Sequence, residues 1–159
     1  MTTIKPAIVP HLWFDKEARE AAEFYTSVFT DSRITNTTTL PGTPSGNVEI
    51  VSFVLQGQEF MAISAGPLFK FNESISFIVR CRTQAEIDYY WDRLTSDGGQ
   101  ESMCGWLKDK YGLSWQVVPA DMDESLRDGD AGRLARVMQA MLGMKKLDIA
   151  ALRRAHEGA

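Results

Sequence analysis

The sequence predicts an α+β fold in which a unit of strand, helix and further strands occurs twice, followed by a helical tail. Three observations lead there. Two stretches carry apolar residues at helical spacing: Ala18, Ala21, Ala22, Tyr25, Val28 and Phe29 within about Asp15 to Phe29, and Ile87, Tyr90, Trp91 and Leu94 within Thr83 to about Ser96. Each stretch follows a strand-like run, "AIVPHLWF" or "SISFIVRC", and precedes β-prone segments. The halves also align internally, because "AEFYTSVFTDS" (22–32) lies over "IDYYWDRLTSD" (87–97) with Tyr25 on Tyr90 and Phe29 on Leu94. Identity is weak there, yet helix position, apolar face and terminating turn agree, which is what a duplication leaves behind.

The elements follow in order. In the first strand, alternation sets His11 and Trp13 on one face and Leu12 and Phe14 on the other, the latter pair suited to packing under the helix. Asp15 is placed to cap that helix. "PGTPSGN" (41–47) reads as a turn between strands. "NVEIVSFVLQG" and "QEFMAISAG" then form a hairpin around Gln56 and Gly57. In the second half, Thr83 and Glu86 form a capping-box pattern, and "DGG" (97–99) ends the helix. "CGWLKDK" and "LSWQVVP" turn around Tyr111 and Gly112. Of the tail, "DMDESLRDGD" (121–130) reads as a solvated acidic loop. A helix then runs from about Ala131 to Leu142, with Leu134, Val137, Met138 and Met141 on one face and Gly143 ending it. Asp148 can cap a last short helix to about Ala155, and Lys145, Lys146, Arg153 and Arg154 form a solvated face.

At 159 residues, 44% hydrophobic and 24% charged, the chain supports a single domain with a real core, or two small halves sharing one. Its parts are a first module over about 1–66, a second over about 73–119 and the tail over about 121–159. A formal charge of −4 and a pI near 5.2 argue against nucleic acid as a partner. Cys81 and Cys104 are too few for a disulfide scaffold, the N-terminus lacks a signal-peptide core, and no apolar run is long enough to span a bilayer. A cytoplasmic protein without a membrane partner is expected.

Taken together, "FDKEAREAAEFYTSVF", "CGWLKDKYGLSWQVVP" and "VMQAMLGMKKLDIAALRRA" resemble the PhnB-like branch of the vicinal oxygen chelate superfamily. That superfamily includes glyoxalase I, extradiol dioxygenases, fosfomycin-resistance enzymes and bleomycin-binding proteins. The resemblance covers nearly the whole chain and implies paired βαβββ modules of the glyoxalase/bleomycin-resistance kind, with curved sheets enclosing a cavity. The branch often carries the label 3-demethylubiquinone 3-methyltransferase domain. The strand, glycine-rich turn and helix of a typical nucleotide-binding methyltransferase are missing from the sequence, so fold follows from the resemblance and methyl transfer does not.

In metal-dependent members of the superfamily, four inward side chains from the first and last strands of the two modules surround a divalent ion. Here the matching strands offer His11, about Met61, Ser74 or Ser76, and Gln116, where glyoxalase I would have a glutamate. One imidazole, one thioether and one amide make a poor set for a hard cation, so no metal and no cofactor are expected. The candidate pocket is instead His11, Trp13, Met61, Ser76 and Gln116, with tryptophan as an aromatic wall. Each residue also has a plain reading: His11 as a hydrogen-bonded strand histidine, Gln116 as partner to a backbone group, the tryptophans as packing and the cysteines as small buried hydrophobes. No acid/base pair follows from spacing, so catalytic residues are not assigned. Three functions fit: a small-molecule binding protein or metal-independent enzyme, a divalent-metal-dependent lyase or dioxygenase, or a protein that sequesters a drug or toxin without turnover. A homodimer is expected from the apolar face of the tail helix and the superfamily's habit of pairing modules.

Overall fold

The computed structural model describes residues 6–127 and 129–159, in two compact units that meet in sequence between Phe71 and Asn72. The first unit runs β1 (His11–Phe14), α1 (Ala18–Val28), β2 (Ser32–Thr43), β3 (Gly46–Leu55) and β4 (Gln58–Ser64). Its sheet has the order β1-β4-β3-β2, with β1 parallel to β4 and the other pairs antiparallel. Alternation puts Leu12, Phe14, Val51, Phe53, Phe60 and Ala62 in the core with Ala21, Ala22, Tyr25 and Val28 of α1. Phe53 stacks between Tyr25 at 6.2 Å and Phe60 at 5.4 Å. The β3–β4 hairpin turns at Gln56 and Gly57, both at positive φ (48° and 87°), the paired left-handed geometry that matches strand twist.

Two readings of this half are corrected. Asp15 does not cap α1. The helix starts three residues later, and the Ser64 hydroxyl at the end of β4 accepts from the Ala18 N–H at 3.0 Å, so a residue distant in sequence does the capping. The turn between β2 and β3 is also shorter than "PGTPSGN". Pro41 and Gly42 lie within β2, where pairing is irregular between Leu40 and Thr43, and Thr43 pairs with Gly46 across Pro44 and Ser45.

The second unit runs β5 (Ser76–Cys81), α2 (Gln84–Leu94), a 3₁₀ turn at Ser96–Gly98, β6 (Gln100–Glu101), β7 (Trp106–Lys108), β8 (Ser114–Pro119), α3 (Met122–Arg127), α4 (Ala131–Leu142) and α5 (Ile149–Glu157). Its sheet order, β5-β8-β7-β6, repeats that of the first, again with the outer pair β5–β8 parallel. The architecture is therefore two four-stranded sheets in paired βαβββ modules with C-terminal helices. Thr83 caps α2 by accepting from Glu86 N–H at 3.2 Å, while the Glu86 carboxylate accepts from Arg82 N–H at 2.6 Å, one residue outside the standard box. Burial moves the internal alignment by one residue. Laying α1 on α2 end to end matches Ala21, Tyr25 and Val28 to Ile87, Trp91 and Leu94, all of them buried.

The tail is stitched into the second unit. Cys104 and Gly105 donate backbone hydrogen bonds of 2.8 Å to Met144 and Lys145. Val118, Val137, Leu147 and Leu152 form a small buried cluster. The apolar stripe of α4 thus finds its partner within its own unit, although Met138, read as part of that stripe, is 48% exposed. The acidic segment read as a loop contains the helix α3, because Asp121 O accepts from Ser125 N–H and Asp123 is drawn in by Arg80, whose guanidinium donates at 2.7 Å.

Candidate functional site

Each sheet has one face under its helix and one turned away from it. In the first unit, the face turned away carries His11, Trp13, Ile50, Ser52, Met61 and Ile63, all half-buried except His11, which is exposed. His11 and Met61 sit directly opposite in the β1–β4 register, and Trp13 opposite Ile63. The Trp13 indole is held at its edge, donating to Gly66 O at 2.9 Å and meeting Phe69 edge-on at 4.9 Å. This face offers a rigid aromatic group and a thioether beside one imidazole.

In the second unit, the Gln116 amide donates to the Ser76 hydroxyl at 2.9 Å, so two sequence-predicted residues come together. That bond occupies one amide hydrogen and one hydroxyl lone pair. Opposite Gln116 lie Ile78 on β5 and Trp106 on β7, while Ser114 stands opposite both Ser76 and Lys108. Lys108 pairs with Glu73, whose carboxyl is held below its ordinary range chiefly by that hydrogen bond. Ser114 is 1% exposed and its Oγ has no hydrogen-bond partner among the described residues. Trp106 was weighed in the sequence only as packing or an aromatic wall and Lys108 was missed, though alternation within "CGWLKDK" puts both on the face of Gln116 once the β7–β8 register is known.

A family model described as 3-demethylubiquinone-9 3-methyltransferase matches residues 6–118, spanning both sheets. The chain belongs to that family. A Bacillus cereus PhnB protein carrying the same methyltransferase description is 35% identical, with a TM-score of 0.64 over 72% of this chain and all of that one. At the level of fold alone, this PhnB-like chain is also similar to a Pseudomonas aeruginosa protein (20% identity, TM-score 0.59, 71% of this chain and 96% of that one). The fosfomycin-resistance protein FosX from Mesorhizobium loti is a further neighbour in fold (12%, 0.56, 79% and 99%). No curated protein matches the chain.

The PhnB-like chain's donors do not fit the divalent-metal site that the resemblance to metal-dependent relatives implies. Superposing the modules by their helix-facing strand residues, Phe14 and Ala62 on Cys81 and Val117, sets Met61 on Gln116 and His11 on Ile78. The four positions then hold imidazole, thioether, hydrocarbon and amide, and a hydrocarbon side chain supplies no ligand at all. Ser76, the serine expected at the third position, lies two residues before Ile78 on the same face. Among the described residues, no three His, Cys, Asp or Glu side chains come together as a metal group. The remaining chemistry is muted. Cys81 is fully buried, and burial, reinforced by the Glu86 charge, pushes its thiol up to about 12. Glu49 pairs with Arg19 at 3.2 Å.

Proposed function

We propose that this PhnB-like protein binds a small, partly apolar organic molecule on the face of its second sheet turned away from α2, without a metal ion. The Gln116–Ser76 pair carries the reading. Its remaining amide oxygen, amide hydrogen and hydroxyl hydrogen stand beside Ile78 and Trp106, a few directed polar groups within an apolar surround, which is how small-molecule sites fix orientation. Trp13 and Met61 supply the same kind of apolar surface in the first unit. The methyltransferase description is not carried to this chain. The β1–α1 and β5–α2 connections, Asp15-Lys16-Glu17 and Arg82-Thr83, contain no glycine-rich phosphate turn, and neither sheet is doubly wound.

The test is ligand-observed NMR with a library of small aromatic acids and amides, followed by mapping on labelled protein. The reading expects shifts at the Trp106 indole N–H and at the Gln116 side-chain amide, weakened by Gln116→Ala. Hits that leave both signals unmoved would overturn it. Elemental analysis of protein purified without chelator is expected to find well under one divalent ion per chain, and stoichiometric metal lost with His11→Ala would restore the metalloenzyme alternative. Incubation of a hit with the protein separates turnover from sequestration. We also propose a homodimer, because Leu68, Phe69 and Ile75 stand 71%, 58% and 66% exposed and invite cover. Light scattering at micromolar concentration decides it. A cytoplasmic setting accords with two free cysteines, and among the described residues no helix is long and apolar enough to cross a membrane.

A further inference from the structure

The three tail helices enclose a cleft of about 550 Å³, within the range of small-molecule sites and outside residues 6–118 that carry the family match. Its floor is apolar: Val137 of α4 and Ile149 and Leu152 of α5 are 6–7% exposed. Its rim is charged, and guanidinium groups arrive there from all three helices, Arg127 from α3, Arg133 from α4 and Arg153 from α5. Rim carboxylates are also present, Asp121, Glu124 and Glu157. Asp121 stands 3.7 Å from Arg153, a separation longer than a hydrogen bond, and both groups are more than half exposed, so the contact leaves the guanidinium donors to solvent. Arg127 makes no ion pair among the described residues.

We infer that this cleft is a second binding site, for a small amphipathic carboxylate. The apolar body of the ligand lies over Val137, Ile149 and Leu152, and its carboxylate meets Arg127 and Arg153. Arginine favours an anionic head, since its planar fork donates two parallel hydrogen bonds to a carboxylate. The helices that make the cleft are held by the rest of the unit. Arg136 donates to the carbonyls of Ala155 and His156 at 2.9 and 3.0 Å, locking α4 to α5, and the Arg80–Asp123 pair holds α3. The floor and the helices that carry the rim are therefore positioned before any ligand arrives, which lowers the ordering cost of binding.

The experiment titrates sodium decanoate, below its micellar range, into the full-length protein with methyl-labelled Val, Ile and Leu. Saturable shifts at Val137, Ile149 and Leu152 are expected. Arg127→Ala and Arg153→Ala are each expected to weaken binding about fivefold, as loss of one exposed charged contact does. Both residues are exposed surface positions, so the variants keep the fold, and unchanged spectra away from the cleft confirm it. No saturable shift, shifts confined to other regions, or affinity unchanged in both variants would overturn the inference. So would preferential binding of decyltrimethylammonium weakened by Glu124→Gln, which would assign the rim to cations. Co-sedimentation with phosphatidylglycerol vesicles without decanoate binding would place the arginines on a membrane surface and overturn it as well.

Discussion

Asp109 sits in the β7–β8 turn at 2% exposure, yet its carboxylate accepts from the N–H groups of Tyr111 at 2.9 Å and Leu113 at 3.1 Å and from the Trp115 indole at 2.9 Å. A buried carboxylate tolerates burial when donors surround it, and removing it strands those donors. Asp109→Ala is expected to destabilise the protein by about 3 kcal/mol in urea unfolding, and a loss below about 1 kcal/mol would show that the turn does not depend on it. Cys81 gives a pH prediction. Its folded thiol is pushed to about 12, above its ordinary value of 9.0. Between those values the unfolded chain releases a proton that the folded chain keeps, so stability is full below about pH 9 and falls as pH rises toward 12. Ellman's reagent at pH 8 should leave Cys81 unmodified until the protein is denatured, and rapid labelling of native Cys104→Ser protein would contradict this. At the same scale, the place of Gln116 and Ser76 on one face of the sheet was legible from alternation and from the strand pairing that the resemblance implied. Ile78 standing opposite Gln116 was not, because a parallel register is set by how the helix-facing residues of the two strands pack, and a shift of two residues preserves the alternation.

Among the elements, α1 and α2 show two routes to the same cap. Thr83 caps α2 from the adjoining residue, a local pattern open to sequence reading. Ser64 caps α1 from β4, and only the β1–β4 pairing brings it there. Ser64→Ala is therefore expected to lower stability by about 1 kcal/mol, with Asp15→Ala changing it by less than about 0.5 kcal/mol. Equal effects in thermal unfolding would refute the assignment. Gln84 at the start of α2 ties that helix to the tail at the start of α5. Its amide donates to Leu147 O at 3.0 Å, and its amide oxygen accepts from Ile149 N–H at 2.9 Å. Gln84→Ala should raise hydrogen exchange selectively at residues 147–152 while α1 exchange stays unchanged, because the backbone groups at the start of α5 lose their partner. Uniform change in both units would mean that Gln84 acts through global stability instead.

For the whole molecule, the β7 approach to the tail depends on one glycine. Gly105 has φ of +82°, and a Cβ there would lie 2.8 Å from Val117 O and 3.0 Å from the Leu147 side chain. The backbone of β8 cannot yield, and Leu147 is fully buried in the cluster that joins tail to sheet. Gly105→Ala is expected to cost about 2 kcal/mol or more and to release α4 and α5 together. Limited proteolysis reads this as new cuts within 131–157, and wild-type resistance there would show that the tail holds independently of β7.

Taken alone, the sequence patterns determined the repeated strand–helix–strands plan, the helix-facing residues of the first strand, the Gln56-Gly57 hairpin and the limits of α4, while the family came from the resemblance of its motifs. Those features rest on period-two and period-3.6 patterns and on turn residues, which act over a few positions and are therefore written locally. Tertiary structure decided what depends on partners distant in the chain: the Ser64 cap, the pairing of Ile78 and Trp106 with Gln116, the burial of Asp109, and the cleft among α3, α4 and α5. In each case two segments tens of residues apart must first be brought into contact by packing, and the energy that selects that contact belongs to both segments together.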